Sequence, residues 1–244
     1  MVESETRGFK ELVEAGARGL GIHVGAEAIE MFDEYRRRLL AANEVMNLTS
    51  ITDDEGMAIK HFVDSLVCLL GPLGARYDSL VDIGSGAGFP GIVLRIMNPG
   101  RRTLLVESVG KKVRFLRDVC HHLGLDGIEV VQGRAEDLAH DQAYRERFDL
   151  AVARGVAALS PLAEYCLPFV RPGGWFVAMK GPRAEEELAD GARAASALGG
   201  AAPVVTAVSL PLGHGERRLV SIRKESRGAS NYPRKSAAIA RAPL

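Results

Sequence analysis

No apolar run in this 244-residue chain approaches the roughly 20 residues that a membrane-spanning helix needs; the stretches around Leu66–Leu70 and Val204–Val208 stop far short of it. The opening segment MVESETRGFKELVEAG lacks the basic start and apolar continuation of a secretory signal, so a cytoplasmic location is expected. Cysteine is scarce as well. Cys68, Cys120 and Cys166 are widely spaced and odd in number, which excludes a disulfide framework or a zinc cluster and leaves buried, reduced thiols. Nor is there a surplus of charge: 31 Lys and Arg balance 31 Asp and Glu, so no overall field draws the molecule to nucleic acid, and any such contact must come from local patches. Internal repeats and low-complexity segments are lacking too. What remains is a chain long enough for one large core with a small appendage.

The period of the hydrophobic pattern changes near Ser79. Before it, Ile29, Phe32, Tyr35, Leu39 and Leu40 fall at helical spacing, and Met57, Phe62, Leu66 and Leu70 predict a second helix. After it, LVDIG, TLLVE, IEVVQ, FDLAVA, WFVAMK, VVTAVSL and RLVSIR read as strands. Between several of them lie amphipathic helices such as KKVRFLRDVCHHLGL, with Val113, Leu116, Cys120 and Leu123 on one face. Strand–helix alternation predicts a largely parallel α/β sheet covered on both sides. The short loop PLGHGER between the last two strands is too brief for a helical crossover and predicts an antiparallel hairpin. The expected organisation is a helical extension over residues 1–75, a Rossmann-like domain over 76–225 and a basic, flexible tail over 226–244.

The segment LVDIGSGAGFPG places Gly84, Gly86, Gly88 and Gly91 directly after a hydrophobic strand, where the lack of a Cβ lets the backbone turn sharply and approach a ligand. Gly86, Gly88 and Gly91 satisfy the dinucleotide pattern, and Glu107, near the end of the next strand, suits a ribose-binding acid for a nicotinamide cofactor or a methyl donor alike. Asp82 two residues before Gly84, the bulky Phe89 and Pro90 at the helix start, and RPGGWFVAMKG favour S-adenosyl-L-methionine. In that reading the backbone of Gly84, Ser85, Gly86, Gly88 and Phe89 faces the donor's amino-acid end. Asp82 braces the loop or the ammonium, Glu107 takes the ribose hydroxyls, and Ala135 and Glu136 after the third strand flank the adenine. Glu136 and Asp137 equally suit a helix start.

MNLTSI, KHFVDSL, VDIGSGAGFPGIVL, ESVGKKVRFLR, GRAED, VARGVAALSPL and RPGGWFVAMKG together resemble the RsmG (GidB) family of small-subunit (16S) ribosomal RNA guanine-N7 methyltransferases, over roughly Asn43 to Lys224. The resemblance implies the class I methyltransferase fold, an S-adenosyl-L-methionine donor, donor contacts at Gly84, Phe89, Ala135, Glu136 and Arg154, and 16S rRNA as substrate near the decoding region. After NYPR the chain departs from the family's basic Gly- and Pro-containing tail and runs KSAAIARAPL.

Guanine N7 carries a lone pair and no proton, so displacement at the donor's methyl needs alignment and no general base. The chain fits this. ARGVA stands after the fourth strand in place of an Asn/Asp-Pro-Pro-aromatic motif, and a Pro-Cys pair for attack on a pyrimidine is lacking. Arg154 at that strand exit is the expected positioning residue, or else the partner of a nearby carboxylate. His61 and Asp64 form either a substrate-facing patch or a helix-surface ion pair, and Asn47 either touches RNA or makes a turn. Arg36, Arg37 and Arg38 form one basic cluster; Arg217, Arg218, Arg223, Lys224, Arg227, Arg234, Lys235 and Arg241 form a second. Both suit RNA phosphates or a solvated surface. Adjacent His121 and His122 do not share a helical face, so no metal is expected. The partner expected is 16S rRNA within the small ribosomal subunit, met by a monomer. A metabolite methyltransferase and a non-catalytic RNA-binding module are the alternatives.

Overall fold

The computed structural model describes residues 8–74 and 76–244. The acidic opening residues, and the ends of the expected 1–75 extension at 1–7 and at 75, lie outside them. α1 (Phe9–Gly19) and α2 (Ala26–Met46) bury Phe9, Leu12, Val13, Ile29, Phe32, Tyr35 and Leu39 on facing stripes. α2 ends where Asn47 takes a left-handed conformation at φ 51° and the Asn43 side chain accepts from the amides of Leu48 and Thr49. Asp53 then caps α3 (Asp54–Met57) by accepting from the Gly56 amide at 2.7 Å. α3 widens into a π-helical stretch, Ala58–Val63, before α4 (Asp64–Leu66) and a 3-10 turn, Val67–Leu70. The sequence pattern predicts one uniform helix here. The observed register change puts His61 and Asp64 on the inward side of the run, and π-helical turns are frequent where a helix must re-aim functional side chains.

The sheet contains β1 (Ser79–Ile83), β2 (Arg102–Glu107), β3 (Ile128–Gln132), β4 (Phe148–Arg154), β5 (Val170–Lys180), β6 (Val204–Ser209) and β7 (Glu216–Arg223). Its order is β3-β2-β1-β4-β5-β7-β6, parallel except for β7, which runs antiparallel to both β5 and β6. The expected hairpin is present, and all seven predicted strands form. α5 (Gly91–Met97) and α6 (Gly110–His122) pack with the helical extension on one face, over Leu80, Leu105, Val152 and Met179. α7 (Ala135–Leu138), α8 (Leu159–Cys166) and α9 (Leu188–Ala197) cover the other, over Val81, Val106, Ala153 and Ala178. Strand residues therefore alternate between two cores, as the two-residue period requires. Cys68, Cys120 and Cys166 are buried free thiols.

The C-terminal segment corrects the expectation of a flexible tail. Residues 225–244 pack against the α7–α8 face and end in α10 (Ser236–Arg241), whose Ile239 is fully buried. Composition alone reads these residues as solvated because their partners are distant in sequence: Glu146, Glu164 and Asp137. Among the described residues, no helix is long and apolar enough to cross a membrane.

Candidate functional site

The strand order reverses between β1 and β4, which places a crevice at the carboxyl ends of these strands. A cavity of about 250 Å3 opens there, lined by Gly84, Glu107, Ser108, Arg134, Ala135, Glu136, Val156 and Tyr165 among others. Four of the residues singled out by sequence, Gly84, Glu107, Ala135 and Glu136, thus meet in one cleft. Glu107 is buried at the end of β2, and its carboxylate ties the loops together: Oε2 accepts from the Gly86 amide at 3.0 Å and Oε1 from the Val109 amide at 2.8 Å. Each oxygen keeps a second lone pair for a hydroxyl.

The glycine turn is built by close approach. Gly84 has φ +71°, and a Cβ there would stand 2.8 Å from the Val156 side chain. Gly88 has φ +99°, and its Cβ would meet Ile92 and the Tyr35 hydroxyl, each at 2.5 Å. The Tyr35 hydroxyl donates to the Ala87 carbonyl, so α2 of the helical extension props the loop from behind. Ser85 Oγ donates to the Asp82 carbonyl at 3.0 Å and tightens the same turn.

Asp82 is fully buried on the α5 side of β1. Its Oδ2 accepts from the Gly91 amide at 2.9 Å, while Oδ1 has no hydrogen-bond partner. Burial pushes this carboxyl up to about 7 against the opposing effect of the Gly91 amide. The brace expected of Asp82 is therefore to the start of α5. The Asp82 side chain does not line the cavity, so it acts on the glycine turn through the protein's own backbone.

Several expectations change at the exit of β4. Arg154 does not line the cavity, because the alternation of β4 turns its side chain to the α5 face. There Nη1 donates to Asp64 Oδ2 at 3.2 Å and to the Lys60 carbonyl at 3.0 Å, with the guanidinium 5.2 Å above the Phe89 ring. Asp64 is not a substrate-facing surface group. It is 1% exposed and holds Arg217 too, Oδ1 accepting from Nε at 2.7 Å and Oδ2 from Nη2 at 3.2 Å. The helix-surface pair with His61 is likewise corrected: His61 stacks on Phe89 at 4.8 Å and shares a hydrogen bond with Thr49 Oγ1 at 2.8 Å. Burial and the Arg154 charge lower its imidazole to about 4, so it is neutral at physiological pH. Phe89 lies between Tyr35 and His61, so its ring is spent on packing and only its backbone remains for a ligand.

Asn47 is exposed and serves as the left-handed end of α2, the turn role. The first basic cluster is neutralised and the second partly so, Arg223 and Arg241 being exposed and Arg227 87% exposed. Arg36, Arg37 and Arg38 pair with Asp33, Glu34 and Asp54; Arg218 pairs with Glu185 and Glu216; Arg234 and Lys235 pair with Glu164 and Asp137. Lys224 is fully buried. Sequence reasoning missed Arg134, Val156 and Tyr165 in the cleft and Tyr35 behind the loop. Arg134 and Val156 lie beside singled-out residues in GRAED and ARGVA, which is the signal that points to them; Tyr35 gives only a core-facing spacing. Among the described residues no group of three His, Cys, Asp or Glu is placed to hold a metal.

A seven-stranded sheet with an antiparallel β7, a glycine turn leaving β1 and an acid ending β2 define a Rossmann-like class I methyltransferase fold. Solved structures agree on the fold. A predicted O-methyltransferase from Agrobacterium tumefaciens is 19% identical, with a TM-score of 0.52 over 68% of this chain and 82% of that one. Cofactor-bound Rv0187 from MTB is 20% identical, with a TM-score of 0.57 over 79% and 91%. The family model for rRNA small subunit methyltransferase G matches residues 28–219. Curated relatives bearing the name ribosomal RNA small subunit methyltransferase G come from Moorella thermoacetica, 45% identical over 96% of this chain and 97% of the relative, and from Alkaliphilus oremlandii, 40% identical over 97% and 99%. The chain belongs to the rRNA small subunit methyltransferase G (GidB) family.

Proposed function

We propose that this chain transfers a methyl group from S-adenosyl-L-methionine to N7 of a guanine in 16S ribosomal RNA. The carrying observation is the cleft at the strand-order reversal, where Gly84, Glu107, Ala135 and Glu136 converge in a chain whose relatives are named for small-subunit rRNA methylation. Bound there, the donor supplies an electrophilic methyl on a sulfonium. The turn from Gly84 to Phe89, whose Gly84, Ser85, Gly86 and Gly88 amides are bonded to Val106, Glu107 and Ser85, meets its amino-acid end by close backbone approach and through its carbonyls, with Asp82 behind them. Glu107 accepts from the ribose hydroxyls, and Ala135 and Glu136 face the adenine.

Acceptor chemistry follows from the groups at the β4 exit. Arg154 is permanently cationic and held by Asp64, and the neutral His61 is a weak base with a depressed pKa. Neither suits removal of a proton from an amine, whereas N7 has none to remove. The Arg154–Asp64–Arg217 group is proposed to orient the target nucleotide, its guanidinium faces retaining 20% and 25% side-chain exposure. Phosphate contacts are assigned to Arg217, to the exposed Arg134 after β3 and to the exposed Lys60 of the π-helical stretch beside the β4 exit. Because the A-form major groove hides N7, the guanine is unpaired or in distorted RNA, as an assembling small subunit offers. A cytoplasmic monomer completes the reading.

The test is transfer of a tritiated methyl group to small ribosomal subunits, naked 16S rRNA and cell metabolites, followed by nucleoside mass spectrometry. The reading expects 7-methylguanosine in 16S rRNA. Label confined to metabolites, or on an exocyclic amine, overturns it.

A further inference from the structure

The 20 residues that follow Lys224 are joined to the adenine side of the cleft by a set of specific bonds. α7 has only one turn, Ala135–Leu138, and a turn that short does not hold its own position in water. One side of it, Ala135 and Glu136, lines the cleft. The other side and the residues beyond it are held by the tail. Asp137 accepts from Lys235 Nζ at 2.7 Å, and His140 Nε2 bonds the Pro233 carbonyl at 2.8 Å. Arg145 donates to the Ala139 carbonyl at 3.1 Å and to tail carbonyls of Tyr232 and Ala229 at 2.7 and 3.0 Å. α8 is fastened in the same way. Glu164 is fully buried, and its carboxylate accepts from the Arg234 amide, Nε and Nη2 at 2.8, 2.9 and 2.6 Å. The next residue, Tyr165, lines the cleft.

We infer that the C-terminal tail is a strap that sets the adenine wall of the donor site, with Arg234 and Glu164 as its latch and Lys235 as a second fastening. Arg234 and Glu164 are positioning residues: they touch no donor atom and act through α7 and Tyr165. Two of the tail's four basic residues thereby have a structural role, Arg234 and Lys235 being occupied by Glu164 and Asp137. This inference rests on the methyl-donor reading of the cleft.

The test uses the full chain, with the double variant Arg234→Ala/Glu164→Gln to avoid an uncompensated buried charge, and Lys235→Ala, whose side chain is 81% exposed and is not needed for the core. Binding of S-adenosylhomocysteine is measured by calorimetry, hydrogen exchange of the 135–139 amides without ligand, and the KM for donor and for small subunits separately. The double variant is expected to weaken donor-product binding about tenfold, Lys235→Ala about threefold, with faster exchange in α7 and the KM for RNA and kcat within about twofold of wild type. Unchanged donor affinity in a folded Lys235→Ala protein with unchanged α7 exchange overturns the strap, as does a rise in the KM for RNA alone. If the double variant does not fold, Lys235→Ala decides. Failure of the wild-type chain to bind S-adenosylhomocysteine refutes the donor reading itself, a distinguishable result.

Discussion

Replacing Asp64 by alanine removes a carboxylate that is 1% exposed and receives three N–H bonds from two arginines. Breaking a fully buried pair by deleting one partner costs about 3–5 kcal/mol, because the surviving charge is stranded. Here the survivors are not fully stranded. Arg154 and Arg217 keep 20% and 25% of their side-chain surface exposed, and each retains a backbone carbonyl, that of Lys60 at 3.0 Å and of Glu216 at 3.2 Å. Water reaching both guanidiniums reduces the penalty to about 2–3 kcal/mol. For a chain of this length that is a fall in Tm of roughly 4–12 °C, read by urea and thermal denaturation. Asp64 lies outside the cleft, so S-adenosylhomocysteine affinity is expected to stay within about twofold while methyl transfer drops by at least tenfold as the arginines lose their common anchor. A double-mutant cycle with Arg217→Met isolates the pair. Stability within about 0.5 kcal/mol of wild type refutes the claim that Asp64 organises the β4 exit; a loss of donor affinity as large as the loss of transfer refutes its assignment to the acceptor side.

Glu107→Ala removes the acceptor for the Gly86 and Val109 amides as well as the proposed ribose contact, so donor affinity measured by calorimetry is expected to fall by roughly 30- to 100-fold. Gly84→Ala forces a side chain into a left-handed backbone and onto Val156, costing about 1–2 kcal/mol before any effect on the donor, and Gly84→Ala/Val156→Ala recovers part of the stability because only the steric portion is relieved. pH separates two buried groups. Burial raises Asp82 to about 7, so its contribution to stability is present at low pH and is lost as pH rises from about 4 through 7, nominally by about 4 kcal/mol. Burial lowers His61 to about 4, so its contribution runs the other way, gained as pH rises from about 4 to 6.5 and offsetting most of the Asp82 loss. Asp82→Asn is therefore expected to gain stability relative to wild type as pH rises from about 4 to 7, and His61→Gln to steepen the decline between pH 4 and 6.5, both followed as Tm against pH.

The strands and the glycine turn were readable in advance because both obey local rules. A run such as LVDIG has no stable helical alternative beside four closely spaced glycines, and Glu107 must fall at the end of β2 once β1 is placed. The β4 exit was less legible for a physical reason. Whether Arg154 faces the cavity or the helical extension depends on the phase of a two-residue alternation, and that phase is set by which residues of Leu150–Arg154 meet the two cores. Asp64 shows the same limit more sharply. Its spacing from His61 suggests a shared helical face, yet the π-helical stretch Ala58–Val63 alters the angular relation and delivers the carboxylate to arginines 90 and 153 positions away. The order of the tail is not legible in sequence because a basic, alanine-rich composition is neutral toward order until its anions are known, and those anions, Glu146, Glu164 and Asp137, are brought to it only by the tertiary fold. Pairing also answers a question that charge counting cannot. With Arg36, Arg37 and Arg38 paired to Asp33, Glu34 and Asp54, the proposed RNA contacts fall instead on Arg217 and on cations that carry no cluster signature, such as the exposed Lys60 beside the β4 exit and Arg134 in the cleft. Consequently the salt dependence of RNA binding should change on mutating Lys60 and Arg134 and stay nearly constant on mutating Arg37 and Arg38, an ordering opposite to the one that the density of basic residues along the chain predicts.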